Sequence, residues 1–207
     1  MAYPTVDAPY GFRPINLIGG QVFAGSTRLI PIASGTTTSI YGDVVRLNAT
    51  GTLSRVTTTS AATDTVGIFL GCNYTNPTTK QPTYAQYYAA TIVASDIEAV
   101  VADDPDALFK VAVVSGAGAT GSSISGLTRA AVGQNVAITQ PSPGGSTTSG
   151  NSYQGAFVTT SSATAPLRIV DVVPETVNAA GSYTEVIVKF NFGFHTYYNA
   201  TGTTTSA

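Results

Sequence analysis

Glycine and proline interrupt almost every apolar stretch of this chain, which limits the length of any regular structure that it forms. The 207 residues include 21 glycines and 11 prolines. The apolar residues between them alternate or run in short blocks, rather than recurring every three to four positions. These blocks are rich in β-branched and aromatic side chains, which suit a pleated surface. The sequence therefore predicts an all-β fold of many short strands, arranged as a β-sandwich or a barrel-like domain.

Local patterns predict several of these strands. Residues 43–47 and 52–56 flank Asn48-Ala-Thr-Gly51, which predicts a hairpin with glycine available for the turn. Residues 66–74 read as a strongly apolar strand. Residues 184–194 alternate in polarity, and we expect that strand to line the core with Val186, Val188, Phe190, Phe192 and Phe194.

Both ends of the chain are predicted to lie outside a β-rich domain of residues 31–198. Residues 1–30 contain prolines at three positions, and each proline fixes φ and removes a backbone donor, so an extended N-terminal arm is expected. The arm is also apolar, so we expect it to leave the β core and be buried against another chain. The residues expected to bind that partner are Tyr10, Phe12, Arg13 and Pro14. Residues 199–207 are polar and repetitive, which predicts a C-terminal tail.

Charge is scarce in this chain. Charged residues make up 10% of it, against about 25% in ordinary soluble domains. A surface of uncharged polar residues and tyrosine is typical of proteins that cover much of that surface in an assembly, so self-association is expected. The net charge of −2 and the absence of a basic stripe argue against nucleic-acid binding. No stretch approaches the ~20 apolar residues of a membrane helix, so no membrane association is expected.

Two motifs resemble ligand sites but have simpler interpretations. Gly116-Ala-Gly-Ala-Thr-Gly121 matches a dinucleotide-binding pattern, yet a poor helix former follows it and no acidic residue lies at the required distance. We interpret it as a flexible loop. Asp103, Asp104 and Asp106, with Asp96 and Glu98 nearby, could offer oxygen ligands to calcium. Asp-Asp-Pro-Asp is also an ordinary turn, which is the favoured interpretation.

The residues that could support catalysis are few. His195 is the single histidine, and no serine lies in a nucleophile motif, so we predict a structural role for it. Cys72 is the single cysteine and lies in an apolar strand, where a small buried hydrophobe is expected. We therefore predict no catalytic residue, no cofactor and no metal site. One thiol is also consistent with synthesis in a reducing cytoplasm.

Six of the tyrosines have two possible roles. They could form a platform on which sugar rings stack, or they could be sheet and interface residues, and the interface role is favoured. They are Tyr74, Tyr84, Tyr87, Tyr88, Tyr197 and Tyr198.

Several short motifs occur in an order that resembles a known family. They are Asp7-Ala-Pro-Tyr-Gly-Phe-Arg-Pro14, Tyr41-Gly-Asp43, Gly67-Ile-Phe-Leu-Gly-Cys-Asn-Tyr74, Asp103-Asp-Pro-Asp-Ala-Leu-Phe109, Gly133-Gln-Asn135, Leu167-Arg-Ile169 and Glu185-Val-Ile-Val-Lys-Phe-Asn191. Together they span most of the chain. In this arrangement the chain resembles the head decoration, or cement, proteins of tailed bacteriophages from marine and freshwater environments.

The resemblance implies a non-enzymatic structural protein of the virion. Such a protein is made in the cytoplasm of the host bacterium and binds the outside of the capsid, where it stabilises the shell. The implied partners are the major capsid protein and further copies of the chain itself, with a trimer favoured over a dimer. The alternatives are a carbohydrate-binding or adhesin-type module on a phage fibre, and a hydrolase with a β fold in which acidic residues converge on His195.

Overall fold

The computed structural model describes residues 9–33, 35–57, 64–114, 127–139, 144–157, 165–177 and 184–191. Within these ranges the chain forms sixteen β-strands and two 3₁₀ turns, Arg129–Ala131 and Pro174–Thr176. The prediction of an all-β fold is confirmed. The described part of the chain contains no helix that is both long and apolar enough to cross a membrane.

Five strands close into a barrel, which we call the closed barrel. β10 (Ala107–Val114) pairs with β14 (Ala156–Phe157), β14 with β11 (Asn135–Ile138), and β11 with β15 (Leu167–Val172). β15 then pairs with β16 (Glu185–Phe190), and β16 returns to β10. Closure matters because it leaves these strands without a long unpaired edge.

β1 (Arg13–Leu17) extends the closed barrel as a sixth strand and pairs antiparallel with residues 107–110 of β10. The far end of β10, at residues 113 and 114, pairs with β14. β10 has a second edge, and its residues 109–112 pair there with β16. β10 is therefore the strand on which the barrel depends most.

Most of the strands that lie between β1 and β10 in the sequence form a second unit, which we call the curled sheet. Its strands are, in spatial order, β2 (Arg28–Pro31), β9 (Glu98–Ala102), β6 (Thr65–Thr75), β4 (Val44–Leu47) and β5 (Leu53–Arg55). β7 (Pro82–Ala85) pairs with the distal half of β6. The sheet curls far enough for Ile32, directly after β2, to form a parallel bridge with Leu53 of β5.

Two small pairs of strands complete the described fold. β3 (Ser39–Ile40) pairs with β8 (Tyr87–Tyr88), and β12 (Gly145–Ser146) pairs with β13 (Asn151–Ser152). In sequence, the curled sheet lies between β1 and β10, so it is an insertion in the closed barrel.

The two units have separate cores that meet at the curled sheet. One core, inside the curled sheet, includes Val66 and Phe69 of β6. The other fills the closed barrel and also includes Ile68 of β6 and Val44 of β4. Both faces of β6 are therefore buried, which explains why its sequence is a continuous apolar run rather than an alternating one.

The predicted hairpin is confirmed. β4 and β5 pair antiparallel, the Asn48 amide donates to the Thr52 carbonyl at 2.8 Å, and Gly51 adopts a φ of 75°.

In β16 the expected alternation is also confirmed, since Val186, Val188 and Phe190 are all buried. Phe192 and Phe194 lie outside the described residues.

The prediction of an extended arm over residues 1–30 is wrong for the part that the structure describes. β1 belongs to the closed barrel and β2 to the curled sheet, where β2 pairs with β9. Pro14 is tolerated in β1 because the register shifts between Pro14 and Asn16, so the ladder is already interrupted beside it. Residues 1–8 and the predicted tail, residues 199–207, lie outside the described residues.

Candidate functional site

Phe12 is a core residue of its own chain. It is fully buried in the core of the closed barrel and stacks on Phe190, with ring centroids 6.4 Å apart. The Phe190 and Phe109 rings pack edge to face, with centroids 5.5 Å apart. The expectation that Phe12 binds a partner chain is therefore corrected, because its ring has no accessible surface to offer.

Tyr10 and Arg13 lie together in a cluster against the barrel. The Tyr10 hydroxyl donates to the Glu185 carboxylate, which also lies 3.2 Å from the Lys110 ammonium. Burial, helped by that carboxylate, raises the pKa of Tyr10 well above its ordinary value, so the phenol stays protonated as a donor. The Arg13 guanidinium lies 4.0 Å from the centre of the Tyr41 ring. These contacts attach the start of β1 to the barrel.

The partner-binding prediction for Tyr10, Arg13 and Pro14 stays a prediction, although all three are partly buried within the chain. Arg13 also donates from Nη2 to the Asn151 Oδ1 atom at 2.5 Å, and burial lowers its pKa. Because these contacts are intramolecular, a partner would meet only the part of each side chain that remains exposed.

A buried polar network joins the curled sheet to β13. Asp43 is fully buried and accepts hydrogen bonds from the Ser152 hydroxyl at 2.6 Å and from the Ile40 amide at 2.8 Å. The Arg55 guanidinium lies 3.3 Å away. Burial raises the pKa of Asp43, and Arg55 opposes that shift. Gln154 continues the network by accepting from the Val44 amide at 2.7 Å.

The acidic turn is confirmed as a structural feature. Asp104 accepts from the Asp106 amide at 2.9 Å, which is the local bonding that favours Asp in turns. Asp103 is buried and forms an ion pair with Arg28, while Asp106 lies 3.4 Å from the Lys189 ammonium. Among the described residues, no group of three or more His, Cys, Asp or Glu side chains could hold a metal ion.

Cys72 is buried inside the curled sheet, as predicted. Burial raises the pKa of its thiol to about 11, so the thiolate is scarce near neutral pH. The thiol lies 3.7 Å from the Tyr87 carbonyl, to which it donates. His195 and the loop of residues 116–121 lie outside the described residues.

The tyrosines considered as one platform occupy different environments. Tyr88 is fully buried, whereas Tyr84 is 82% exposed. Tyr84 and Tyr74 both border a groove of about 420 Å³ on the curled sheet, and Tyr74 also packs against the core inside that sheet. Tyr87 is half-buried in β8, and Tyr197 and Tyr198 lie outside the described residues. Sequence reasoning identified the two groove tyrosines, but it could not separate them from the core tyrosine.

The groove crosses four strands. Register places Tyr84 of β7 opposite Asn73 of β6, Asn73 opposite Glu98 of β9, and Glu98 opposite Pro31 of β2. Directly opposed residues share a face of a sheet, so these four side chains form one row along the groove. Asp96 borders the same groove and accepts from the Thr75 amide at 3.0 Å.

A second surface lies on the link between the two units, which sequence reasoning treated as part of the arm. We call residues 18–27, between β1 and β2, the connecting segment. Its residues are exposed except Phe23, and none is charged. Ile18 and Val22 are 52% and 75% exposed. A backbone hydrogen bond holds the start of the segment against the residues before β10: the Ile18 amide donates to the Asp106 carbonyl at 2.9 Å.

Comparisons of the chain with protein-family models, with curated proteins and with solved structures gave no match.

Proposed function

We propose that this chain is a non-enzymatic structural protein that binds the outside of a tailed-phage capsid and stabilises the shell. The observation that carries the proposal is the connecting segment, which presents Ile18 and Val22 to solvent in an uncharged stretch. Exposed apolar side chains that are grouped in one short segment are typical of interaction surfaces. The order of sequence motifs supplies the identity of the partner.

The shape of the rest of the chain supports the same role. A cement protein must transmit force between subunits without deforming, which favours closed sheets and well-packed cores. The closed barrel has no long free edge, and the buried Asp43 network joins the curled sheet to β13. The connecting segment runs between these two stiff units, so a subunit bound to it would be coupled to both.

The proposed partners are the major capsid protein and further copies of the chain, with a trimer ahead of a dimer. The low charged fraction, 10%, supports self-association, and the order of motifs supports a threefold position on the capsid. Light scattering on the purified protein tests this part separately. The proposal expects a particle of three times the 21.1 kDa chain mass, and a monomer at micromolar concentration would contradict it.

Capsid attachment is tested with charged substitutions in the connecting segment. Val22→Asp and Ile18→Asp place a charge where the proposal puts an apolar contact, and Thr37→Asp adds the same charge at an exposed position elsewhere. Each variant is mixed with capsids that lack the protein, and bound copies are counted against concentration. We expect Val22→Asp to weaken binding about tenfold or more, which corresponds to about 1.4 kcal/mol. Equal binding by all three variants would refute the role given to the segment.

A further inference from the structure

The groove on the curled sheet has the chemistry of a site for an uncharged oligosaccharide. It is distinct from the connecting segment, and different residues form it. Its most prominent feature is Tyr84, which is 82% exposed and stands at one end of the cross-strand row with Asn73 and Glu98. An exposed aromatic ring presents a flat apolar face, on which the apolar C–H face of a pyranose ring can stack.

Polar groups on the groove match the hydroxyls of a sugar. The Asp96 and Glu98 carboxylates accept hydrogen bonds only, and the Thr75 amide holds one oxygen of Asp96 in place at 3.0 Å. The Asn73 Oδ1 atom is buried without a hydrogen-bond partner among the described residues. A ligand that brings several hydroxyl donors would therefore find acceptors spaced along the row.

Charge selects the class of sugar. Two carboxylates border the groove, and among the described residues that line it there is no lysine or arginine. An acidic sugar or a phosphorylated ligand would meet like charge with no cation to offset it, which disfavours binding. Neutral sugars, including N-acetylated amino sugars, carry hydroxyls without that penalty.

The ligand is elongated, because the row from Tyr84 to Pro31 crosses four neighbouring strands. Tyr84 also borders a depression of about 300 Å³ beside Leu70 and Val100. A chain of linked sugar rings would lie along the row, with one ring on Tyr84. A single ring would leave most of this surface uncovered.

We propose that the groove bordered by Tyr84, Asn73 and Glu98 binds uncharged oligosaccharides of three or more units. The contact with the sugar ring is made by Tyr84, and the hydroxyls are bound by Asn73, Asp96 and Glu98. The site gives the protein a binding activity separate from capsid attachment.

Binding is measured by saturation-transfer NMR and calorimetry on the full chain. The probes are three neutral trisaccharides, namely maltotriose, cellotriose and N,N′,N″-triacetylchitotriose, with sialyllactose as the acidic one. Tyr84→Ala removes the ring, Tyr84→Phe keeps the ring without its hydroxyl, and Val22→Ala is the matched change at an exposed apolar residue outside the groove. Circular dichroism checks that the variants fold, and capsid binding by the same variants separates this site from the proposed function.

We expect at least one neutral trisaccharide to bind and sialyllactose to bind at least tenfold more weakly. Tyr84→Ala should lose at least tenfold in affinity, while Tyr84→Phe and Val22→Ala should stay within threefold of the unmodified chain. The proposal is overturned if no neutral probe binds at millimolar concentration, if sialyllactose binds as well as the neutral probes, or if Tyr84→Ala leaves binding unchanged.

Discussion

Asp43 and Arg55 form an ion pair that links the start of β4 to the end of β5, with Oδ1 and Nε 3.3 Å apart. The Asp43 side chain is fully buried and that of Arg55 is 10% exposed. Taking two charges out of water is costly, and their attraction offsets that cost only when further hydrogen bonds satisfy them. Ser152 and the Ile40 amide provide those bonds to Asp43.

Removing the cation of this pair should destabilise the fold strongly. Arg55→Ala leaves the Asp43 carboxylate buried without its counter-charge, for which we expect a loss of about 3–5 kcal/mol in the free energy of unfolding. The matched control is Arg46→Ala, whose partner Asp64 lies 3.4 Å away in a partly exposed pair. That change should cost about 0–1 kcal/mol. Urea denaturation measures both, and equal losses would show that burial of the pair is unimportant.

Phe12 should behave as a core residue and not as a contact for a partner. Its ring is fully buried against Phe190, so Phe12→Ala should lower the free energy of unfolding by about 3–5 kcal/mol. Leu29→Ala, at a residue 53% exposed, should change it by about 0.5 kcal/mol or less. Thermal and urea unfolding of the isolated protein check this. A Phe12→Ala protein as stable as the parent would restore the arm interpretation.

Gly67 is required by the close approach of β6 and β9. A Cβ atom at this position would lie 2.2 Å from the Ala102 carbonyl oxygen, so Gly67→Ala must displace backbone. We expect it to cost about 1–3 kcal/mol, as overpacking does. Gly19→Ala is the control, since no atom outside its chain neighbours lies within 4 Å of the new Cβ. Differential scanning calorimetry should show a lower Tm only for Gly67→Ala, and an unchanged Tm for both would contradict the structure.

Cys72 should be unreactive in the folded protein at pH 8. Its pKa of about 11 leaves about one thiol in a thousand ionised there, whereas a free thiol with a pKa of about 8.5 is substantially ionised. Reaction with a disulfide reagent should accelerate sharply on unfolding in urea. Because the folded pKa is raised, the folded state holds the proton longer, and stability is lost as pH rises from about 8.5 towards 11. Cys72→Ala should lack that loss, and rapid labelling of the native protein would contradict the burial.

The sequence predicted those elements whose signal is local. The β4–β5 hairpin follows from Asn48 and Gly51, and the exposure pattern of β16 follows from alternation at Val186 and Val188. Burial of Cys72 follows in the same way from its apolar neighbours. Each of these depends on residues within about ten positions of one another, where turn chemistry and the pleat decide the outcome.

Features that depend on distant pairing could not be predicted. β1 pairs with residues of β10 that lie ninety or more positions later, whereas the prolines before and within β1 locally indicate an arm. β6 reads as one apolar run, but nothing local shows that Ile68 and Phe69 face two different cores. The groove was missed for the same reason, since Tyr84, Asn73 and Glu98 become neighbours only through strand register.

If this chain coats a phage capsid, as we propose, purified particles must contain many copies of it. Quantitative mass spectrometry of particles, purified through a density gradient, gives the ratio of this chain to the major capsid protein. We expect a constant ratio across preparations, with the chain present in an amount comparable to the major capsid protein. Absence of the chain from the particles, or its presence at only a few copies in each, would rule out the proposed coating role.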